Sequence, residues 1–352
     1  MKTKITALLG IRHPIVMASM AWVSNGEMVA AVSKAGALGT LGPNAGARTV
    51  TKDVHETGER LRNEITRVRA ETDKPFAVNF VVGAAGLDLD FSERCIRVGI
   101  EEQVPVAIVS QGSPLVHTER LKKAGMKVIH VCAAVKHARK AEEAGVDAVV
   151  ASGTEGGGHS GFDQNTTLCL APQVADAVNI PVIAGGGIAD GRQLAAVLAL
   201  GAEGIYVGTR LIATRESPAH ENYKKAICQG EDGDTIAIRH GTVGTSGPGN
   251  RGFTGERRGS VRMLLNDRMR DIMIEHGGLV NYDTIMKHTA PPESYKGGSL
   301  TAASLVYGDA KAGFFAAGQG VGLIRDILSC EEVIRKIMDE AETAAGKIRD
   351  MK

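Results

Sequence analysis

A (β/α)8 barrel with an inserted, mainly helical lobe is the fold this sequence predicts. Eight short apolar runs alternate with helical stretches at intervals of roughly 20–40 residues, which suits β/α units. The runs are apolar throughout, as strands of a parallel sheet buried on both faces are. The glycine-rich loops follow the sixth, seventh and eighth runs. An open doubly wound sheet would carry its glycine fingerprint after the first.

Pro14–Met20 is the first run, and Asn25–Ala35 carries helical periodicity with Met28, Val29, Val32 and Ala35 on one face. Gly36 stops it, as a glycine beyond a helix end commonly does. Leu38–Pro43 reads as a short second strand with a turn, Thr49–Ala70 as a charged helix and Pro75–Val82 as the third strand. A helix is expected near Leu89–Glu102, then the fourth strand, Val106–Ser110. Leu115–Ala124 is helical, Lys127–Cys132 is strand five, and Val135–Ala144 is a helix ended by Gly145. Strand six is Ala148–Ala151, strand seven Pro181–Gly186 and strand eight Gly204–Thr209, with helices over Leu168–Val178 and Asp190–Leu200.

After Ile212 the rhythm stops. Residues 215–304 are expected to form the lobe, and residues 1–214 with 305–352 the barrel. The lobe holds a helix-like run from Val261 to His276. Its Gly241–Ser260 stretch is open between an anion cradle and a surface loop. Cys330 to about Arg349 reads as the last outer helix, with Val333, Ile334, Ile337 and Met338 on its apolar face.

Net charge is +1 and aromatics are 4%, which argues against a nucleic-acid surface. None of the five cysteines forms a CxxC pair, so no zinc or dithiol site is signalled. Cys132 and Cys169 lie in apolar contexts and are expected in the core. No stretch reaches the ~18 apolar residues of a membrane span, and the N-terminus lacks a signal-peptide pattern. A soluble, cytoplasmic protein with a small-molecule substrate is expected. The apolar last helix and alanine-rich faces permit a homodimer.

Barrel enzymes place their chemistry at the strand C-termini. Three loops there carry signals. Ala151–Gly161 contains Glu155-Gly-Gly-Gly-His159-Ser160-Gly161, a flexible backbone around one imidazole that titrates near neutral pH. Gly185–Gly191 and Gly208–Arg210 follow strands seven and eight, where many barrels bind phosphate on backbone N–H groups. Gly187, Gly208 and Thr209 are the expected contacts. A barrel that binds a phosphorylated ligand without redox chemistry is the alternative from another class. His130 ends strand five, where a side chain faces either mouth or core. Glu155 is read as fixing its loop. His13, His55, His117, His137, His220, His276 and His288 are read as solvated.

Ile183–Gly191, Tyr206–Arg210 and Ala213–His220 resemble the nitronate monooxygenase family, which includes flavin-type enoyl-acyl-carrier-protein reductases and NADH:quinone reductases. The His loop, the first strand with Met20-Ala21-Trp22-Val23, and Gly318-Gln319 with Gly322-Leu323 resemble family segments in the same order. The resemblance implies non-covalent FMN. Its phosphate would lie on Gly187, Gly208 and Thr209, with Ala184 and Gly186 beside the ribityl chain. Met20, Ala21, Asn79, Lys127 and Gln319 would contact the rest of the flavin. His159 would be the catalytic residue, with His130, Gly157, Gly158 and Ser160 on the substrate side. The implied reaction is oxidation of small alkyl nitronates by O2. NAD(P)H-dependent reduction of a quinone or an enoyl thioester is the alternative. Ala18-Ser19, Gly157 and the 241–260 stretch depart from the family pattern.

Overall fold

The computed structural model describes residues 1–82, 86–239, 259–281, 284–285, 304–309 and 314–351. Eight parallel strands form the barrel: β1 (Ile15–Met17), β2 (Gly39–Leu41), β3 (Phe76–Val81), β4 (Val106–Ser110), β5 (Lys127–Cys132), β6 (Ala148–Ser152), β8 (Val182–Gly185) and β9 (Gly204–Val207). The intervening β7 (Gly158–Ser160) belongs to a separate sheet. In space β1 lies beside β9, then β8, β6, β5, β4, β3 and β2 follow. Leu38 closes the ring by bridging to Val16: its N–H donates to the Ile15 carbonyl at 2.9 Å and its carbonyl accepts from Met17 at 2.8 Å.

Two apolar layers explain why the runs do not alternate. Val16, Leu38, Ala77, Ile108, Ile129, Val150 and Ile183 point to the barrel axis. There they pack with Ile5 and Leu9 of α1 (Lys4–Leu9), a helix that the sequence pattern does not signal. Their neighbours Met17, Val78, Val109, Val128, Val149 and Ala184 face the helices.

The outer ring comprises α2 (Gly26–Lys34), α3 (Val54–Glu71), α4 (Gly86–Glu101), α5 (Thr118–Lys123), α6 (Val135–Glu143), α7 (Thr167–Ala177) and α8 (Gly191–Ala199). Asn25, Asp53 and Asp190 cap α2, α3 and α8 with side-chain oxygens. After the short α9 (Thr209–Ile212) and the lobe, α12 (Cys330–Arg349) completes the ring against α8. A Cβ on Gly191 would come within 2.1 Å of the Ile337 carbonyl, so only glycine allows that approach.

The lobe contains α10 (Glu221–Gln229), β10 (Thr235–Arg239), β11 (Ser260–Leu264) and α11 (Asp267–Glu275). β11 pairs antiparallel with β10 and with β7. Among the described residues of the lobe, a sheet that the sequence pattern does not signal accompanies the helices. The helix expected from Val261 onward begins only at Asp267, and Val261–Leu264 is strand. Both faces of β11 are covered, one by the barrel core at Leu264 and the other by Met269 and Ile272 of α11. Asn266 then caps α11. Most of 241–260 lies outside the described residues, as does His288. Two further expectations are corrected. His117 is buried rather than solvated, and Cys169 is exposed rather than in the core. Among the described residues no helix is long and apolar enough to cross a membrane.

Candidate active site

Parallel strands put all eight C-termini at one end, and the three signalled loops meet there. Below them the barrel interior turns polar. Asn79 points to the axis, where its Nδ2 donates to the Ile108 carbonyl at 3.0 Å and to Ser110 Oγ at 3.1 Å. The Tyr206 hydroxyl accepts from the Ser19 N–H at 3.0 Å, and burial pushes its pKa up, so it stays protonated. This layer is a hydrogen-bonding floor over an apolar plug.

The second feature is a set of backbone donors. Gly186 and Gly187 adopt left-handed φ of 111° and 68°. Among the described residues, no protein acceptor takes the N–H of Gly186, Gly187, Gly208 or Thr209. A Cβ on Gly208 would meet nothing nearer than Ala18 Cβ at 3.4 Å and Met20 Sδ at 3.7 Å, so its backbone faces open space. Unpaired N–H groups at adjacent strand ends suit a phosphoryl group, whose oxygens need donors within ~3 Å. The Thr209 hydroxyl accepts from the Gly318 N–H at 3.0 Å and retains its own proton for an anion. A cavity of about 280 Å3 adjoins Gly186 and Gly187, lined further by Leu168, Ile188, Leu200, Gln319 and Leu323.

The His loop is pinned from several sides. The Gly153 N–H donates to the Gly185 carbonyl at 2.8 Å. The Glu155 carboxylate accepts from the Thr167 N–H at 2.8 and 2.9 Å and from its hydroxyl at 3.0 Å. It thereby caps α7, whose own N-cap, Thr166, makes no side-chain bond. The Glu155 carbonyl accepts from the Gln319 N–H at 2.9 Å. Gly157 lies against Ala317 and Gly318, where a Cβ would come within 2.7 Å of backbone. His159 then sits on β7, opposite Val261, with its side chain exposed.

Met20, Ala21, Asn79, Gly186, Gly187, Gly208, Thr209, Gln319, Gly157, Gly158 and His159 all fall at this end of the barrel. Three expected residues do not face it. Lys127 is the first residue of β5 and exposed, at the opposite end. His130 shares its face with Val128 and Cys132, so it lies in the helix-facing layer; burial and nearby His137 lower its pKa to about 4. Ala184 points into the same layer. Ser160 lies on the barrel-facing side of the lobe sheet, where it hydrogen-bonds Ser260 at 2.8 Å, and His159 lies on the other face of that sheet, beside Val261. Thr167 and Arg262 also hydrogen-bond the His loop, at Glu155 and at the Thr154 carbonyl, and the sequence does not flag them. Thr167 reaches the loop from 12 residues beyond Glu155 and Arg262 from 108 residues beyond Thr154, and no local pattern marks either.

A closed β/α barrel with a donor cluster at its last strands and an imidazole at the rim defines a barrel enzyme. Residues 2–340 match the nitronate monooxygenase family, and the chain belongs to that family. It is 37% identical, over 97% of each chain, to (3aS,4S,5R,7aS)-5-hydroxy-7a-methyl-1-oxo-octahydro-1H-indene-4-carboxyl-CoA dehydrogenase from Mycobacterium tuberculosis. Among solved structures, FabK from Thermotoga maritima superposes with a TM-score of 0.80 at 35% identity, covering 99% of each chain. Nitroalkane oxidase from Streptomyces ansochromogenes gives a TM-score of 0.75 at 30% identity, covering 98% of this chain and 99% of its own. The chain is an oxidoreductase.

Proposed function

We propose that this chain is an FMN-dependent oxidoreductase acting on the acyl group of a carrier thioester. The observation that carries the cofactor is the four unpaired N–H groups of Gly186, Gly187, Gly208 and Thr209 beside a polar barrel floor. They would hold the FMN phosphate, with Asn79 below the ring. Bound FMN would take two electrons from NAD(P)H and pass them to the acyl group; the protein orients the substrate and moves the proton.

The thioester reading is supported by the exposed setting of His159 on β7. Two relatives matched over nearly their whole length also favour it: a carboxyl-CoA dehydrogenase and FabK, an enoyl-acyl-carrier-protein reductase. His159 would hold or deliver the proton at the carbon next to the thioester carbonyl. An imidazole is suited to this because it exchanges protons near neutral pH. Oxidation of small alkyl nitronates by O2 is the second reading, favoured by the family match and by the likeness to nitroalkane oxidase.

Anaerobic mixing tests both. The purified protein is expected to be yellow, to be bleached by one equivalent of NAD(P)H and to regain its absorbance with excess enoyl-CoA. Bleaching by propionate 3-nitronate, with no response to enoyl-CoA, would instead establish the second reading. A colourless protein that stays apo after FMN addition would remove the flavin and leave the non-redox phosphate-binding barrel.

A further inference from the structure

Arg262 is a lobe residue that reaches the site loop. It stands mid-strand in β11, in register with Gly158, and is 7% exposed. Its face of the sheet also carries Ser260, bonded to Ser160, and Leu264, packed into the barrel core, so the side chain looks toward the barrel. Nε donates to the Thr154 carbonyl at 2.9 Å, and Nη1 donates to the Thr235 hydroxyl of β10 at 3.2 Å. Both acceptors are neutral. Among the described residues no carboxylate lies within ion-pair distance; Glu155 supports the charge from further away.

A buried guanidinium held by neutral oxygens has a desolvation cost that an aliphatic side chain of similar size would avoid. Its position shows what the cation does. Thr154 precedes Glu155 on the first leg of the His loop. Its N–H donates to the Asn165 carbonyl at 2.8 Å, and its hydroxyl donates to Gln164 Oε1 at 2.9 Å. The carbonyl is the remaining polar group of Thr154, and Arg262 holds it. The leg is therefore fixed by α7 through Glu155, by residues 164–165 through Thr154, and by the lobe sheet through Arg262.

We infer that Arg262 is a positioning residue for His159: its planar guanidinium spans Thr154 on the His loop and Thr235 on β10, and so sets where the loop presents the imidazole. Lysine, a single ammonium on a flexible stem, cannot reproduce that two-point span. The inference rests on the reading of His159 as the proton-moving group.

The test compares wild type with Arg262→Lys and Arg262→Ala by three measurements: FMN affinity from fluorescence quenching, kcat and KM with enoyl-CoA, and amide hydrogen exchange across residues 153–161. The cradle is built from β8 and β9, so FMN affinity is expected to stay within about two-fold. In Arg262→Ala, kcat is expected to fall ~10- to 100-fold with KM little changed, the scale of a misplaced catalytic group. Exchange across 153–161 is expected to rise while β6 and β8 keep their protection. Arg262→Lys is expected to recover little of kcat, and ethylguanidinium added to Arg262→Ala to restore part of it. Wild-type kcat with unchanged loop exchange in Arg262→Ala would overturn the inference. So would a parallel loss of FMN binding, barrel protection and kcat, which marks a folding defect. If the wild type turns over none of the substrates above, the proposed function fails; the exchange measurement still decides the role of Arg262.

Discussion

Gly208→Ala separates a glycine kept for the fold from one kept for a ligand. Gly208 has φ −110°, outside the left-handed region that favours glycine, and its neighbours tolerate a methyl: Ala18 Cβ at 3.4 Å and Met20 Sδ at 3.7 Å are ordinary contacts. Unfolding of the apoprotein should therefore shift by no more than about 0.5 kcal/mol. The same methyl would stand where the N–H groups of Gly208 and Thr209 face the cradle. A hydrogen bond to a charged group is worth about 1.5–3 kcal/mol. Losing one weakens FMN binding about 10- to 150-fold, and losing both multiplies that. The assay is titration of apoprotein with FMN by fluorescence quenching, beside urea unfolding of the same sample. An unchanged FMN Kd would refute the cradle. Gly187→Ala cannot serve instead, because its φ of 68° and a 2.9 Å approach to Glu155 Cβ strain the apoprotein as well.

Other outcomes follow from the same geometry. His159→Asn should keep FMN bound while turnover falls ~100-fold or more, the scale of lost acid–base catalysis; single-turnover flavin reoxidation reads this directly, and an unchanged rate removes His159 from the chemistry. Thr167→Val removes the single hydroxyl proton that lies within reach of Glu155 and of the Gly185 and Gly186 carbonyls, and should cost about 1–3 kcal/mol in urea unfolding. His130→Leu should leave turnover unchanged. Burial lowers the His130 pKa from 6.5 to about 4, so the unfolded chain takes up its proton first on acidification. Its stability contribution is complete above pH 6.5 and is lost as pH falls toward 4. The variant should flatten that acid slope, read from urea midpoints at several pH values. His13, His117 and His137 are lowered by burial too, so part of the slope should remain.

Much of the barrel is legible in the sequence because its signals are local. Apolar runs such as Val106–Ser110 carry strand propensity within a few residues, and Gly36 and Gly145 end helices where they stand. The last helix is legible to its bounds, Cys330–Arg349, because its apolar stripe is unbroken. The lobe is less legible. Ser260–Leu264 is buried on both faces, and its strand state depends on β7 and β10, which lie far off in sequence.

The sequence by itself determined the β/α order, the end of the barrel that carries the loops, and the glycine and histidine content of those loops. Each follows from composition within a short window. Only the tertiary structure decided which way side chains face. His130 and Ala184 turn to the helices because strand alternation inverts direction at every residue, and its phase is set by sheet packing. Lys127 falls at the wrong end because a strand's first residue and its last are a whole barrel height apart. The partners of the His loop, Thr167 and Arg262, became visible only once folding had brought Thr167 against Glu155 and Arg262, from over a hundred residues away, against Thr154.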